Sequence, residues 1–120
     1  MYTHIRKRNG DVVPFDARKI MRAIAKAGKA TEQFGLEQAD TLTAQVVDRA
    51  QETIQDAIPQ VEQIQDVVED TLLDSRFKRT AKAYILYREQ HKQLREIANS
   101  ISNGLVEQYL NKTDWEVREN

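Results

Sequence analysis

Hydrophobic and polar positions along the chain follow two successive periods. Near the N-terminus, β-capable residues form two short runs: Tyr2, Thr3 and Ile5, then Val12, Val13 and Phe15, with Asn9-Gly10 between them. An Asn-Gly pair between such runs predicts a β-hairpin closed by a two-residue turn, because both turn positions need positive φ. Pro14 has no N–H to donate, so the second strand is expected to be an edge or to end there.

Beyond Asp16, an expected N-cap, the period becomes helical. Ile20, Ala23, Ile24 and Ala27 follow i, i+3, i+4, i+7 spacing, and Gly28 stands where a C′ glycine is expected. A loop runs to about Gly35, with Thr31, Glu32 and Gln33 expected to be exposed. A second helix from near Leu36 carries Ala39, Leu42, Val46, Ala50 and Ile54 on one face. It ends before Pro59, which forces Ile58 toward an extended conformation. A third helix carries Val61, Ile64, Val68 and Leu72. A fourth begins near Phe77, carries Ala81, Tyr84, Ile85, Leu94 and Ile97, and is expected to run toward Ser102, with Gly104 as its stop. A short apolar piece, residues 105–110, and a polar tail containing Trp115 read as a connector leaving the domain. The expectation is an α+β domain over residues 1–100, a hairpin followed by four helices, with residues 101–120 as the connector.

Composition narrows the function. A chain of 120 residues fits one domain and can bury a core without staples. No apolar run approaches the roughly 18–20 residues that span a bilayer. The basic N-terminus is not followed by an apolar stretch, so no signal peptide is expected and the location expected is cytoplasmic. The net charge of -1 argues against a general nucleic-acid binder. The absence of cysteine excludes a disulfide framework, a zinc ribbon and thiol chemistry within this segment. His4 and His91 lie far apart in sequence and make a poor basis for a metal site.

The densest polar cluster is Arg6-Lys7-Arg8-Asn9-Gly10, where cations beside a tight turn could grip phosphates with help from turn N–H groups. The alternative is a solvated hairpin tip. In Phe15-Asp16-Ala17-Arg18-Lys19-Ile20 a strand runs directly into a helix N-terminus, which attracts anions. Lys19 is electrostatically disfavoured in that first turn unless it meets an anion; a solvent-facing lysine is the competing reading. Tyr84, Tyr87 and Arg88 are close on the fourth helix and could stack on a base or pair with phosphate, or else divide between core and rim. Glu62, Asp66, Glu69 and Asp70 form an acidic stretch that reads as a solvated face, because nothing nearby supplies a nucleophile or a metal-ligand set. No glycine falls in a G-x-x-x-x-G-K pattern, so a nucleotide site here would not be a P-loop.

The run Ile5-Arg6-Lys7-Arg8-Asn9-Gly10, continued by Phe15-Asp16-Ala17-Arg18-Lys19-Ile20, resembles the opening signature of ATP-cone domains. In that family a strand ends in Lys-Arg-Asp-Gly and a Phe-Asp-x-x-Lys-Ile run follows; Asn9 stands where Asp is commoner. Residues 61–69 resemble the family's third helix and residues 81–88 its last, in the same order, over most of residues 2–95. The tail, residues 109–120, is similar to the segment joining the cone to the catalytic barrel in anaerobic (class III) ribonucleoside-triphosphate reductases. Aerobic reductases and the cone-containing repressor do not continue this way.

The resemblance implies a small β-sheet lid over a four-helix bundle. It implies allosteric binding of ATP, which activates, or dATP, which inhibits, with Mg²⁺ as companion. This segment would hold no catalytic residue, while its parent reduces ribonucleotides by glycyl-radical chemistry. The implied partners are the catalytic domain of the same longer chain and further copies of the parent, with no nucleic acid and no membrane. Lys7 and Arg8 are expected on phosphates. Val13, Pro14, Phe15, Asp16, Arg18 and Lys19 would wrap the nucleotide, Asp16 near sugar or base and Lys19 on phosphate. Val61 would lie near the base through its backbone. Gln65 would close the site with Arg88, His91 or Lys92. The residues themselves point to Lys7, Arg8, Lys19 and Arg88, but not to Val61 or Gln65.

Three rival readings remain open at this point. A nucleotide-responsive repressor module would carry a cysteine zinc ribbon ahead of the cone, and this chain has no cysteine. A degenerate cone acting only as a structural or interaction module is opposed by Lys7, Arg8 and Lys19. A stand-alone enzyme lacks any nucleophile–base or metal cluster.

Overall fold

Period-two alternation puts Ile5 and Val13 on the same side of a two-stranded antiparallel sheet. The computed structural model describes residues 1–101. Its elements are β1 (His4–Arg6), β2 (Val12–Pro14), α1 (Ala17–Ala30), α2 (Leu36–Thr53), α3 (Val61–Asp74) and α4 (Lys78–Ile101). The strands pair His4 with Pro14, Ile5 with Val13 and Arg6 with Val12. Ile5 is buried and Val13 packs against the same core, while Arg6 and Val12 face outward. β2 ends at Pro14, as its missing N–H requires. This is the expected α+β arrangement, a hairpin against four helices.

The hairpin tip differs from the expected two-residue turn. The Lys7 carbonyl accepts from Gly10 N–H at 2.9 Å, and Lys7 N–H donates to the Asp11 carbonyl at 2.8 Å. Arg8, Asn9 and Gly10 therefore form a three-residue loop, which needs one left-handed residue rather than two. Gly10 takes that role at φ 94°, and Asn9 does not have positive φ. Asn9 instead uses its side-chain carbonyl to accept from Asp11 N–H at 3.0 Å, holding the returning strand.

A second contact fixes the sheet's other edge. Arg6 N–H donates to the Pro59 carbonyl at 2.9 Å, and Arg6 forms a parallel bridge with Gln60. The segment before α3 thus lies beside β1. Tyr2 Oη lies 2.8 Å from both the Ala50 and Ile54 carbonyls, tying the first residues to the end of α2. The core runs through all four helices, with Ile24, Leu42, Ile64 and Leu72 fully enclosed. Burying each such side chain contributes about 1.5–3 kcal/mol.

Gly28 does not end α1. The helix continues to Ala30 with Thr31 as C-cap, and the left-handed residue beyond it is Glu32, at φ 60°. Gln33 N–H donates to the Gly28 carbonyl at 2.9 Å and Glu32 N–H to the Lys29 carbonyl at 3.0 Å, the paired bonds of a Schellman motif. Gly28 is needed for packing: a Cβ there would lie 2.3 Å from the Phe34 ring. Phe34 in turn packs edge-on against Phe77, with ring centroids 4.7 Å apart.

Nor are Thr31 and Gln33 exposed. Thr80, fully buried near the start of α4, donates its N–H and its hydroxyl to Gln33 Oε1, both at 2.8 Å, and its hydroxyl lies 2.8 Å from that of Thr31. The α1–α2 loop therefore caps α4. The expected connector, with Ser102, Gly104, residues 105–110 and Trp115, lies outside the described residues. Among the described residues, no helix is long and apolar enough to cross a membrane.

Candidate functional site

The bridge between β1 and the segment before α3 brings the hairpin tip to the N-terminus of α3. Arg6, Lys7, Arg8 and Gly10 from the tip face Gln60, Val61 and Glu62 across a cleft of about 380 Å³. The Gln60 side chain caps the Gln63 N–H, and the positive end of the α3 dipole still faces this wall, which favours an anion. Gln63 returns its side chain to accept from Gln60 N–H at 2.8 Å, fixing where the helix begins. Val61 is buried and reaches the cleft only as its floor.

A second cleft, of about 350 Å³, adjoins the first across Glu62, between α3 and α4. Glu62, Asp66 and Glu69 lie at i, i+4, i+7 on α3; Arg88, Lys92 and Arg95 lie at i, i+4, i+7 on α4. Each triplet forms one helix face, and the two faces meet here. The acidic stretch is therefore not a purely solvated face, because its carboxylates pair with arginines.

Two of these arginines are held very differently. Arg88 Nη1 donates to Asp66 Oδ1 at 2.8 Å and also to Glu69 Oε2, and Nη2 reaches the Glu62 carbonyl at 3.3 Å. Burial alone would lower its pKa, but the Asp66 and Glu69 carboxylates outweigh that and hold it above the ordinary value. Arg8 donates a 2.6 Å hydrogen bond to the neutral Gln65 Oε1, and its Nε lies 3.4 Å from Glu62 Oε1. Its side chain is only 14% exposed. Burial, then repulsion from Arg95 and Arg88, pull Arg8 down to about 10, with Glu62 opposing. It remains charged near neutrality. Burial, followed by repulsion from Arg88, also lowers Arg95.

The other expected site residues occupy different surroundings. Asp16 caps α1, accepting from Arg18 N–H at 3.0 Å, and the Arg18 guanidinium folds back onto the same carboxylate at 3.1 and 3.2 Å. The α1 N-terminus is thus already supplied with a negative group. Lys19 is exposed, and its N–H donates to the Asp16 carbonyl at 3.1 Å. Phe15 contacts Tyr2 with ring centroids 5.6 Å apart, Val13 packs on the core, and Pro14 is exposed. His91 is buried, stacked on Tyr87 at 4.6 Å with a 3.0 Å Oη–Nε2 hydrogen bond, and Lys92 lines the second cleft. Tyr84 belongs to the core, where burial raises its pKa. Among the described residues, no group of His, Cys, Asp and Glu could hold a metal ion.

Lys7, Arg8, Val61, Gln65 and Arg88 are therefore drawn around one corner of the molecule. Glu62 and Arg95 join them and were missed as site residues in the sequence. The matched i, i+4, i+7 triplets of opposite charge were the signal that could have found them.

Comparison with known proteins agrees with this architecture. Residues 3–93 match the family described as the ATP cone domain. This chain belongs to that family. The cone is 42% identical over 101 residues to a vitamin B12-dependent ribonucleoside-diphosphate reductase of Thermoplasma acidophilum, covering 80% of the chain and 13% of that protein. It is 35% identical over 120 residues to the ribonucleoside-diphosphate reductase subunit alpha of Chlamydia muridarum, covering 92% of the chain and 11% of that protein. It is 35% identical over 111 residues to the anaerobic ribonucleoside-triphosphate reductase of Escherichia coli, covering 90% of the chain and 15% of that protein. The cone thus spans a small fraction of each relative, and these relatives include more than one type of reductase.

Proposed function

We propose that this cone binds ATP or dATP, with Mg²⁺, at the corner formed by the hairpin tip, α3 and α4, and thereby sets the activity of a ribonucleotide reductase. The observation that carries this reading is the placement of Arg8: a largely enclosed guanidinium lining the cleft, held by Gln65 and Glu62 and close to two further arginines. Such a group is stabilised by an arriving polyphosphate. Lys7 and the positive end of the α3 dipole add to the same field. Arg8 and Lys7 would hold the phosphates, and the Val61 backbone and Gln65 would border the rest of the nucleotide. Asp16 and Lys19 join the ligand in this proposal only if the hairpin closes over it.

Residues 1–100 act as the regulatory domain and residues 101–120 as a connector to a catalytic domain in the same chain. The relatives support a longer parent, since the cone is a small part of each. The parent is an anaerobic ribonucleoside-triphosphate reductase, working in the cytoplasm as a homo-oligomer, in which ATP permits and dATP stops deoxyribonucleotide synthesis. Leu94 and Ile97, each more than half exposed near the end of α4, offer apolar surface for such a neighbour. ATP and dATP differ by one hydroxyl, so the switch must lie in the conformations or assemblies that each favours.

The test is calorimetric titration of the chain with ATP and with dATP, plus Mg²⁺, followed by thermal unfolding. Ligand at about 100 times Kd should stabilise the fold by roughly 2.7 kcal/mol. Arg8→Ala should abolish the binding heat. Absence of binding by a folded wild-type chain would reject the reading.

A further inference from the structure

We propose that Glu62 is an internal counterion of Arg8 which the phosphates of a bound nucleotide displace, so that Glu62 sets how tightly the cone holds its effector. The inference rests on the nucleotide reading of this corner. Among the α3 carboxylates, Asp66 and Glu69 are committed to Arg88. Glu62 lines both clefts and stands at their boundary. Its contact with Arg8 is 3.4 Å, longer than the roughly 2.7–2.9 Å of a strong charge-assisted bond. The Glu62 side chain is 59% exposed, whereas that of Arg8 is 14% exposed. The carboxylate can therefore swing into water, while the guanidinium stays fixed by Gln65.

A polyphosphate reaching Arg8 enters the space beside this carboxylate and meets a like charge. Two outcomes are then coupled. The ligand takes over Arg8, and Glu62 is released toward solvent or toward Arg95, whose charge it already faces across the second cleft. What Glu62 gives up at Arg8 is subtracted from what phosphate gains there.

Titration of the 120-residue chain with ATP and with inorganic tripolyphosphate, for wild type, Glu62→Gln and Asp70→Asn, tests this. Asp70 is an exposed α3 carboxylate outside the lining of both clefts, so its variant removes the same charge from the same helix. Glu62→Gln should tighten both ligands about three- to tenfold, the range expected for losing a competing, partly exposed ion pair and a like charge. Asp70→Asn should leave both within about twofold. Unchanged affinity in Glu62→Gln, equal tightening in Asp70→Asn, or tightening for ATP alone would each overturn the counterion role. A shift of Tm in Glu62→Gln without a change of Kd would mean that the contact is only structural. Failure of wild type to bind either ligand would remove the nucleotide reading itself, a result distinct from wild-type binding that Glu62→Gln leaves unaltered.

Discussion

Arg8 and Gln65, 57 positions apart, share a 2.6 Å hydrogen bond that fastens the hairpin tip to α3. The acceptor is neutral, so the bond positions the guanidinium without cancelling its charge. Replacing Gln65 with Leu should keep much of the volume but remove the acceptor at a buried position, costing about 1–3 kcal/mol in urea unfolding. Gln65→Glu should separate position from charge: Arg8 stays in place but gains a further carboxylate beside it. Nucleotide affinity should then fall by roughly tenfold or more in calorimetry.

Gly28 and Phe34 form the tightest packing in the α1–α2 corner. Gly28→Ala should destabilise the fold by about 1–3 kcal/mol despite alanine's better helix propensity, because the new methyl group must displace an aromatic ring. Combining it with Phe34→Leu should cost less than the sum of the two single changes, as expected of residues in contact. Strict additivity in thermal unfolding would contradict the packing role.

Gln33 satisfies two donors of the fully buried Thr80. Gln33→Ala should cost about 1–3 kcal/mol, since it leaves a buried N–H without its acceptor. Hydrogen exchange should show the loss concentrated in the first turn of α4. Uniform loss of protection across the helices would point to a different cause.

The Arg18 side chain and backbone N–H hydrogen-bond the Asp16 carboxylate and hold its pKa below the ordinary value. A carboxyl with a depressed folded pKa contributes stability above its unfolded pKa, about 3.9. That contribution is lost as pH falls through the lower folded value. Asp16→Asn keeps a good N-cap and removes only the charge. Its Tm deficit should be constant from neutral pH to about pH 5, then shrink below about pH 4.

Where local pattern decided the outcome, the sequence was readable. The Ile20, Ala23, Ile24, Ala27 stripe, the Asp16 cap and the end of β2 at Pro14 are each set by nearest neighbours along the chain. Gly28 was misread because a glycine near a helix end looks the same whether it supplies a left-handed turn or room for a ring 6 positions away. Asn9-Gly10 was misread because the pair fits two hairpin lengths, and the register with Val12 chooses between them.

The sequence by itself determined the elements, their order, the apolar faces that must be buried and the cations at the hairpin tip, because these follow from local dihedral preference and periodicity. The tertiary structure decided what those cations are worth. Arg8 and Arg88 carry the same formal charge, yet Arg88 is held above its ordinary pKa by Asp66 and Glu69, while burial and the neighbouring Arg95 and Arg88 pull Arg8, held by Gln65 and Glu62, below its own. That difference depends on burial and on partners 19 to 57 residues away, and electrostatic energy is a function of distance in space.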